Sequence, residues 1–333
     1  MTSCMKEAEA RLLPKPEPSD ELWTKLKAFS FDMKGPFPYS KRLAKENEWP
    51  YDYSLAVIEE YRKLLYLLAT VGDDLVASPD VEDAWRLHLI YTGSYFRMLC
   101  DRVLGKRIEH NCDDGSQSPA AMSKRWQKTM DAYRRSFGEP SEMIWFEPDW
   151  FGHSPHRRLI HSVKSLVNPA PLVVNADGFE RIPAKHQKLW RKIKNFRFDK
   201  LGAAYPYSAR LADESFEGDR QYAHVVIEEY RKFLFLMGAM GHSVTPSFDV
   251  DEAWHLHLDF TRSYWDEMMG KIIGTPYHHS PGNGEEEGEF RFQAVYQRTL
   301  EEYEEHFGTP PARVWGHKDP SIDWRKVLER TGL

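Results

Sequence analysis

The chain has 333 residues and a mass of 39.0 kDa. This is about twice the usual size of one domain, so two domains are expected. Its 41% hydrophobic and 29% charged residues, with a mean hydropathy of -0.63, indicate a soluble globular protein and exclude an integral membrane protein. The formal net charge of -6 disfavours nucleic acid or an anionic membrane as a partner, because both attract a net positive surface.

The amino terminus is interrupted by charges and lacks the apolar run of a secretory signal, so a cytoplasmic location is expected. No eighteen apolar residues follow one another in the sequence, which argues against a membrane-spanning helix. The cysteines Cys4, Cys100 and Cys112 have no CxxC spacing. They predict reduced thiols and neither a disulfide framework nor a cysteine zinc site.

Residues 1–21 are predicted to form an irregular arm, because Pro14, Pro16 and Pro18 interrupt regular structure. A first helical unit is expected to follow this arm over residues 22–145.

The first unit has helical periodicity. Apolar residues from Val57 to Leu68 recur every three to four positions and predict a buried helix face of about five turns. A second helix is expected to begin near Ser78, a typical capping residue, and to run to Gly105, a typical C-terminal stop. A further helix is predicted to end at Gly138 and to close the unit.

The second half of the chain is predicted to have the same organisation. Residues 146–188 contain several prolines and predict a linker, with one helix near residues 158–166. A second helical unit is expected over residues 189–315. The tail, residues 316–333, is predicted to contain a short helix at 321–329.

The two units are related in sequence. The segment VIEEYRK occurs at Val57 to Lys63 and again at Val226 to Lys232, a displacement of 169 residues. At this displacement 24 of 58 positions are identical without a gap, from the pair Tyr53 and Tyr222 onwards. No convincing period-two pattern of strands is present. The sequence therefore predicts an all-α fold with two tandem homologous helical-bundle domains related by internal duplication.

Histidine and tryptophan recur on the second helix of each unit. Residues three or four positions apart share one face of a helix. The face that carries these tryptophan and histidine residues is apolar. The histidines on it are expected to be buried and to bond a backbone carbonyl or a neighbouring hydroxyl. The predicted buried motif comprises Trp85, His88, Thr92, Trp254, His257 and Thr261.

A second group of histidines predicts a possible metal site in the second unit. His255 lies about 200° from His257 around a regular helix, so both cannot face one ion. We expect His255 to meet His278 or His279, with a carboxylate such as Asp251 or Glu229, and a divalent transition metal as cofactor. The alternative is that His278 and His279 lie in a loop that caps the bundle. The signal lacks the spacing of a known metal motif.

Two charged features have simpler interpretations beside functional ones. Glu228 with Arg231 or Lys232 has the spacing of surface ion pairs on a helix. The alternative is that Glu59 or Glu228 binds a neighbouring helix of its own unit. A basic patch opens the second unit and predicts either a solvated helix face or a site for an acidic partner. The patch comprises Lys188, Arg191, Lys192 and Lys194.

These motifs resemble a known family, the glycine-rich domain-containing-protein-like family, which has a WHxH…T..Y…G…HxP pattern. The second unit matches this pattern at Trp254, His255, Leu256, His257, Thr261, Tyr264, Gly274, His279, Ser280 and Pro281. The first unit keeps most of the pattern but has Arg86 where the second unit has His255. The resemblance supports the duplicated-domain interpretation and implies no particular reaction.

Two functions follow from the sequence as hypotheses. The first is a non-enzymatic binding or scaffold protein, whose duplicated helical domains bind an unspecified protein or small-molecule ligand. The second is a metal-dependent, histidine-ligated enzyme with its site in the second unit. The sequence leaves the oligomeric state and the identity of any ligand open.

Overall fold

The structure is a computed structural model. It describes residues 17–32, 35, 37–110, 117–148, 180–200, 203–282 and 286–316, with the side chains of 286–290 left out. The helices expected near 158–166 and 321–329 lie outside the described residues, as does most of the N-terminal arm. Every regular element in the described part of the chain is a helix, which confirms the all-α prediction. Within the same residues, no helix combines the length and apolarity that a membrane crossing requires.

The N-terminal half, residues 17–148, contains six helices in the described ranges. They are α1 (Glu21–Ala28), α2 (Tyr39–Glu46), α3 (Tyr51–Thr70), α4 (Pro79–Ile90), α5 (Gly93–Leu104) and α6 (Pro119–Phe137). The starts follow local chemistry, because the side chains of Asp20 and Ser118 accept hydrogen bonds from first-turn N–H groups of α1 and α6.

The C-terminal half, residues 180–316, begins with a 3₁₀ turn at Ala184–His186. Its helices are α7 (Gln187–Lys194), α8 (Tyr207–Ser215), α9 (Arg220–Ala239), α10 (Phe248–Asp259), α11 (Arg262–Ile273), α12 (Glu286–Phe307) and α13 (Ala312–Trp315). The side chains of Asp219 and Ser247 cap α9 and α10 in the same way.

Each half has its own hydrophobic core, built around its 20-residue helix. Helix α3 packs against α1, α2, α4 and α6, and α9 packs against α7, α8, α10 and α12. Apolar residues at three-to-four spacing, such as Val57, Tyr61 and Leu64, place a buried face on the central helix. Burial of these two apolar sets is the main stabilising contribution in each half.

The second helix of each unit is shorter than predicted. We expected one helix as far as Gly105 or Gly274, but α4 ends at Ile90 and α10 ends at Asp259. The following helices, α5 and α11, are π-helices that end at these glycines, whose φ angles of 66° and 86° are left-handed. Neither glycine nor proline lies at these breaks before Thr92 or Thr261, so no local pattern predicts where α4 and α10 end.

The two halves contact each other through α4 and α10. In addition, the loop carrying His110 and the loop carrying His279 each reach the opposite half. The His110 ring nitrogen Nδ1 lies 2.7 Å from the carbonyl oxygen of Asp259. The His279 Nδ1 lies 2.9 Å from the carbonyl oxygen of Ile90. A helix leaves its last carbonyl groups without partners inside the helix, so each broken helix end offers an acceptor to the opposite loop. One histidine from each half therefore caps a helix of the other half.

Candidate metal centre

Three side chains of the C-terminal half converge at one end of this contact. Asp251 and His255 are four residues apart on α10, so they lie one above the other on the same helix face. His279 comes from the loop that follows α11. Their potential ligand atoms all lie within 4.8 Å of one another.

The separations within this cluster, here called the Asp–His–His cluster, suit a tetrahedral metal ion. The two Nε2 atoms of His255 and His279 are 3.3 Å apart. His255 Nε2 lies 3.2 Å from Asp251 Oδ2, and His279 Nε2 lies 3.3 Å from Asp251 Oδ1. Zinc bonds of about 2.0–2.1 Å to nitrogen and oxygen give a tetrahedron with edges of roughly 3.3–3.4 Å. The separation of the two imidazole nitrogens therefore matches one edge of such a coordination shell, and each nitrogen lies about one edge length from an Asp251 oxygen, His255 from Oδ2 and His279 from Oδ1.

The hydrogen bond at the far side of the His279 ring orients that ring toward the cluster. A carbonyl oxygen only accepts, so Nδ1 must donate its proton to Ile90. In the neutral ring, Nε2 then carries a lone pair that faces His255 and Asp251. The indole of Trp254 packs edge-on against the ring, with centroids 4.6 Å apart, and restricts its rotation. Both contacts hold His279 as a metal ligand is usually held.

Asp251 supplies the negative charge of the cluster. Burial acts to raise the pKa of its carboxyl, but the attraction of the adjacent His255 and His279 outweighs burial and holds that pKa well below its usual range. Its Oδ1 is buried and accepts no well-formed hydrogen bond from the described residues. A cation bound between the three side chains would satisfy this oxygen.

The cluster is partly open to solvent. The side chains of Asp251, His255 and His279 are 29%, 18% and 8% exposed. A metal ion could therefore enter from solvent and keep a water molecule beside its three protein ligands.

Two other residues from the predicted metal site lie elsewhere. The His278 ring points to the N-terminal half, with Nδ1 3.1 Å from the Thr92 hydroxyl and the ring against Trp265. Glu229 is buried in the core and accepts hydrogen bonds from Tyr303 and Trp315, at 2.6 and 2.8 Å. The structure thus brings together His255, His279 and Asp251, and it places His278 outside their cluster.

The N-terminal half has a different set at the matching positions. Glu82, Arg86 and His110 stand where the C-terminal half has Asp251, His255 and His279. The guanidinium of Arg86 is buried and reaches Asp259 and Glu214 of the other half, at 2.5 and 2.7 Å. The Arg86 side chain therefore links the two halves by ion pairs, at the position where the C-terminal half has His255.

His110 is bonded within this first-half set. Its Nε2 lies 2.7 Å from Glu82 Oε1. Burial acts to lower the pKa of His110, but Glu82 and Asp259 outweigh burial and raise it above its usual value. The His110 ring is therefore paired with a carboxylate, and Arg86 prevents a second Asp–His–His arrangement.

All six residues of the predicted buried motif are buried, and its two threonines lie where the two halves meet. His88 and His257 each bond a tyrosine hydroxyl through Nδ1 and a serine hydroxyl through Nε2, at 3.0–3.1 Å. Burial lowers the pKa of each ring to about 3. The buried members of this motif are Trp85, His88, Thr92, Trp254, His257 and Thr261.

Sequence reasoning overlooked one pair of buried carboxylates within VIEEYRK. Glu228 pairs with Arg231 as expected, and Glu59 pairs with Arg62, which is itself buried and donates to the carbonyl oxygen of Phe29. The adjacent Glu60 and Glu229 are buried instead, and each accepts hydrogen bonds from a tyrosine and a tryptophan. Their position three residues after Val57 or Val226, on the apolar face, was the available signal.

The predicted basic patch lies on α7 and is exposed. Lys194 pairs with Glu180 at 2.8 Å, and Lys192 donates to the carbonyl oxygen of Lys271 at 3.0 Å. A shallow groove of about 600 Å³ runs between α7 and α11. Three of the groove's cationic side chains are from this region and one is from α11: Arg191, Lys192, Arg197 and Lys271. The remaining member of the predicted patch, Lys188, is exposed on α7.

Comparison with known proteins adds one partial similarity. No family model matches the chain, and no solved structure matches it. A curated relative, glycine-rich domain-containing protein 1 of Arabidopsis thaliana, is 29% identical over 94 residues. These residues are 27% of this chain and only 11% of the relative's length. The chain is thus similar to a small part of that protein, which hints at the family that its motifs resemble.

Proposed function

We propose that this protein binds a transition-metal ion of the zinc class through Asp251, His255 and His279. The observation that carries this proposal is the separation of 3.2–3.3 Å between the closest donor atoms of the three side chains. Two imidazoles and one carboxylate are a common ligand set for zinc. The carboxylate also lowers the net charge of a bound divalent ion from two to one.

The same geometry bears on whether the site is catalytic. Three protein ligands leave a fourth tetrahedral position for water, and bound zinc lowers the pKa of such a water to about 7. A histidine-ligated metalloenzyme therefore remains the second candidate function. The partial solvent exposure of the cluster favours it over a closed structural site.

The proposal includes the relationship between the halves. We interpret them as products of internal duplication, in which the first unit has Arg86 in place of a ligand histidine. The support is the repeated sequence, together with matching pairs of contacts such as those of His88 and His257. A family relationship to glycine-rich domain-containing proteins is supported by the partial similarity and by the shared motif.

The binding or scaffold hypothesis concerns a different surface. The groove between α7 and α11 combines four cationic side chains and one carboxylate, Glu267, with the apolar Phe196 and Ile272. These chemistries suit an anionic ligand with an apolar part. This groove is the feature that would support a binding role independent of the metal.

The metal proposal is tested with the full chain purified without a polyhistidine tag. Elemental mass spectrometry should find one transition-metal ion per chain, or one after zinc is added and excess is removed. Asp251→Asn and His255→Ala should lose the ion. His224→Ala is the matched control, because His224 is exposed on α9, outside the cluster. A wild-type protein that takes up no stoichiometric ion would contradict the proposal.

A further inference from the structure

The loop that carries His279 is held by the opposite half of the protein. The His279 Nδ1 donates to the carbonyl oxygen of Ile90 at 2.9 Å. The Thr92 hydroxyl donates to the carbonyl oxygen of His279 at 3.0 Å. Further along this loop, Arg42 Nη2 donates to the carbonyl oxygen of Gly282 at 2.7 Å. Two groups of the N-terminal half therefore fix the ring and the backbone of one ligand, and a third holds the same loop three residues further along.

We infer that the metal site is completed by the N-terminal half, with Ile90 and Thr92 acting as positioning groups for the ligand His279. This inference rests on the proposed function. It adds that metal binding and the contact between the two halves are thermodynamically linked. An ion that needs His279 in this position must favour the state in which the halves are in contact.

The physical basis is the orientation of the imidazole. The Ile90 carbonyl fixes the proton on Nδ1 and leaves the Nε2 lone pair for the ion. The Thr92 hydroxyl fixes the backbone at the same residue, so the ring keeps its distance from His255 and Asp251. Losing a group that holds a ligand in this way typically weakens metal binding about 10–100-fold.

The break after α4 makes this arrangement possible. The α-helix ends at Ile90, so the Ile90 carbonyl lies in the last turn. There it needs a hydrogen-bond donor from outside the helix. Thr92 follows the break and is fully buried at the contact between halves. The local end of one helix thus determines the geometry of a ligand on the other half.

The mirrored loop provides an internal control. His110 donates through Nδ1 to the carbonyl oxygen of Asp259, and the Thr261 hydroxyl lies 2.8 Å from the carbonyl oxygen of His110. These contacts match those of His279 and Thr92, but His110 pairs with Glu82 and belongs to no Asp–His–His cluster. Substitutions at Thr92 and Thr261 should therefore disturb similar contacts and differ in their effect on the ion.

The experiment compares zinc affinity in full-chain variants by competition with a chromogenic chelator. Thr92→Val keeps the side-chain shape and removes the hydroxyl, and Thr261→Val makes the same change in the mirrored loop. We expect Thr92→Val to weaken zinc binding about 10–100-fold. Thr261→Val should stay within about twofold of the wild type, and Thr92→Ser, which keeps a hydroxyl, should restore most of the affinity.

Equal zinc affinities for Thr92→Val and the wild type would overturn the inference, as would equal losses for Thr92→Val and Thr261→Val. These outcomes are distinct from failure of the metal proposal, in which the wild type itself binds no zinc. If Thr92→Val does not fold by circular dichroism, Arg42→Met replaces it. Arg42 is partly exposed and holds the same loop at Gly282, so its loss should weaken zinc binding in the same direction.

A second experiment measures whether zinc binding in the C-terminal half stabilises the N-terminal half. Zinc should slow amide hydrogen exchange around Ile90 and Thr92 in the wild type, although neither residue is a ligand. In Asp251→Asn the exchange in this segment should be unchanged by zinc. Zinc-dependent protection confined to α10 and the His279 loop would contradict the linkage.

Discussion

Acid should destabilise each half through one buried histidine. His88 and His257 lie in the two cores, where burial lowers the pKa of each ring from an ordinary 6.5 to about 3. Their ring nitrogens bond hydroxyl groups, which satisfy the neutral ring without a compensating negative charge. Between pH 6.5 and pH 3, the unfolded chain therefore binds protons that the folded chain does not, and stability falls as the pH falls.

The magnitude follows from these pKa values. One pKa unit corresponds to about 1.4 kcal/mol, so lowering the pH from 7 to 5 should remove about 2 kcal/mol for each histidine. Each half should therefore lose about 2 kcal/mol from its free energy of unfolding. The raised pKa of His110 acts in the opposite sense, because its contribution is fully present below pH 6.5 and is lost as the pH rises.

Urea denaturation at pH 7, 6 and 5 measures this loss. A metal chelator is present throughout, so that release of a bound ion does not add to the pH dependence. In His257→Gln, the loss between pH 7 and pH 5 should shrink by about 2 kcal/mol relative to the wild type. A free energy of unfolding that stays constant from pH 7 to pH 5 would refute the buried, neutral state of these rings.

Three further sets of substitutions test the packing, the contact between the halves and the end of a helix. Glu229→Gln should cost about 2–4 kcal/mol in urea denaturation because it removes charge-assisted hydrogen bonds in the core, whereas Glu228→Gln, at a side chain 65% exposed, should cost under about 0.5 kcal/mol. Arg86→Met should cost about 3–5 kcal/mol by the same assay because it leaves the buried Asp259 carboxylate without its cation, and Asp259→Asn in the same chain should recover part of that loss. Gly274→Ala should lower the free energy of unfolding by about 1–2 kcal/mol in a thermal melt, because an L-residue is strained at a φ of 86°. Equal costs for the two glutamates, no cost at Arg86, or an unchanged melting temperature at Gly274 would each contradict its prediction.

The helical framework was predictable because it depends on local pattern. The apolar spacing from Val57 to Leu68 indicates a helix that the structure places at Tyr51–Thr70. Ser78 marks the start of α4 as a capping residue would, although its side chain makes no capping hydrogen bond. The end of α4 at Ile90 was not predictable, because the groups that use its free carbonyl end belong to a loop almost 190 residues away.

The candidate site was partly predictable for the same reason. Helical geometry alone separates His255 from His257 and places Asp251 on the His255 face. The choice between His278 and His279 depends on which ring meets Ile90 and which meets Thr92. Those contacts cross between the two halves, so no local pattern in either unit specifies them.

The most direct test of the metal site is X-ray absorption spectroscopy of the full chain loaded with one equivalent of zinc. The geometry of Asp251, His255 and His279 predicts nitrogen and oxygen neighbours alone at about 2.0–2.1 Å, with outer-shell scattering from two imidazole rings. In Asp251→Asn this spectrum should be lost. A sulfur neighbour at about 2.3 Å, or a shell of water oxygens without imidazole scattering, would contradict the assignment of the ion to this cluster.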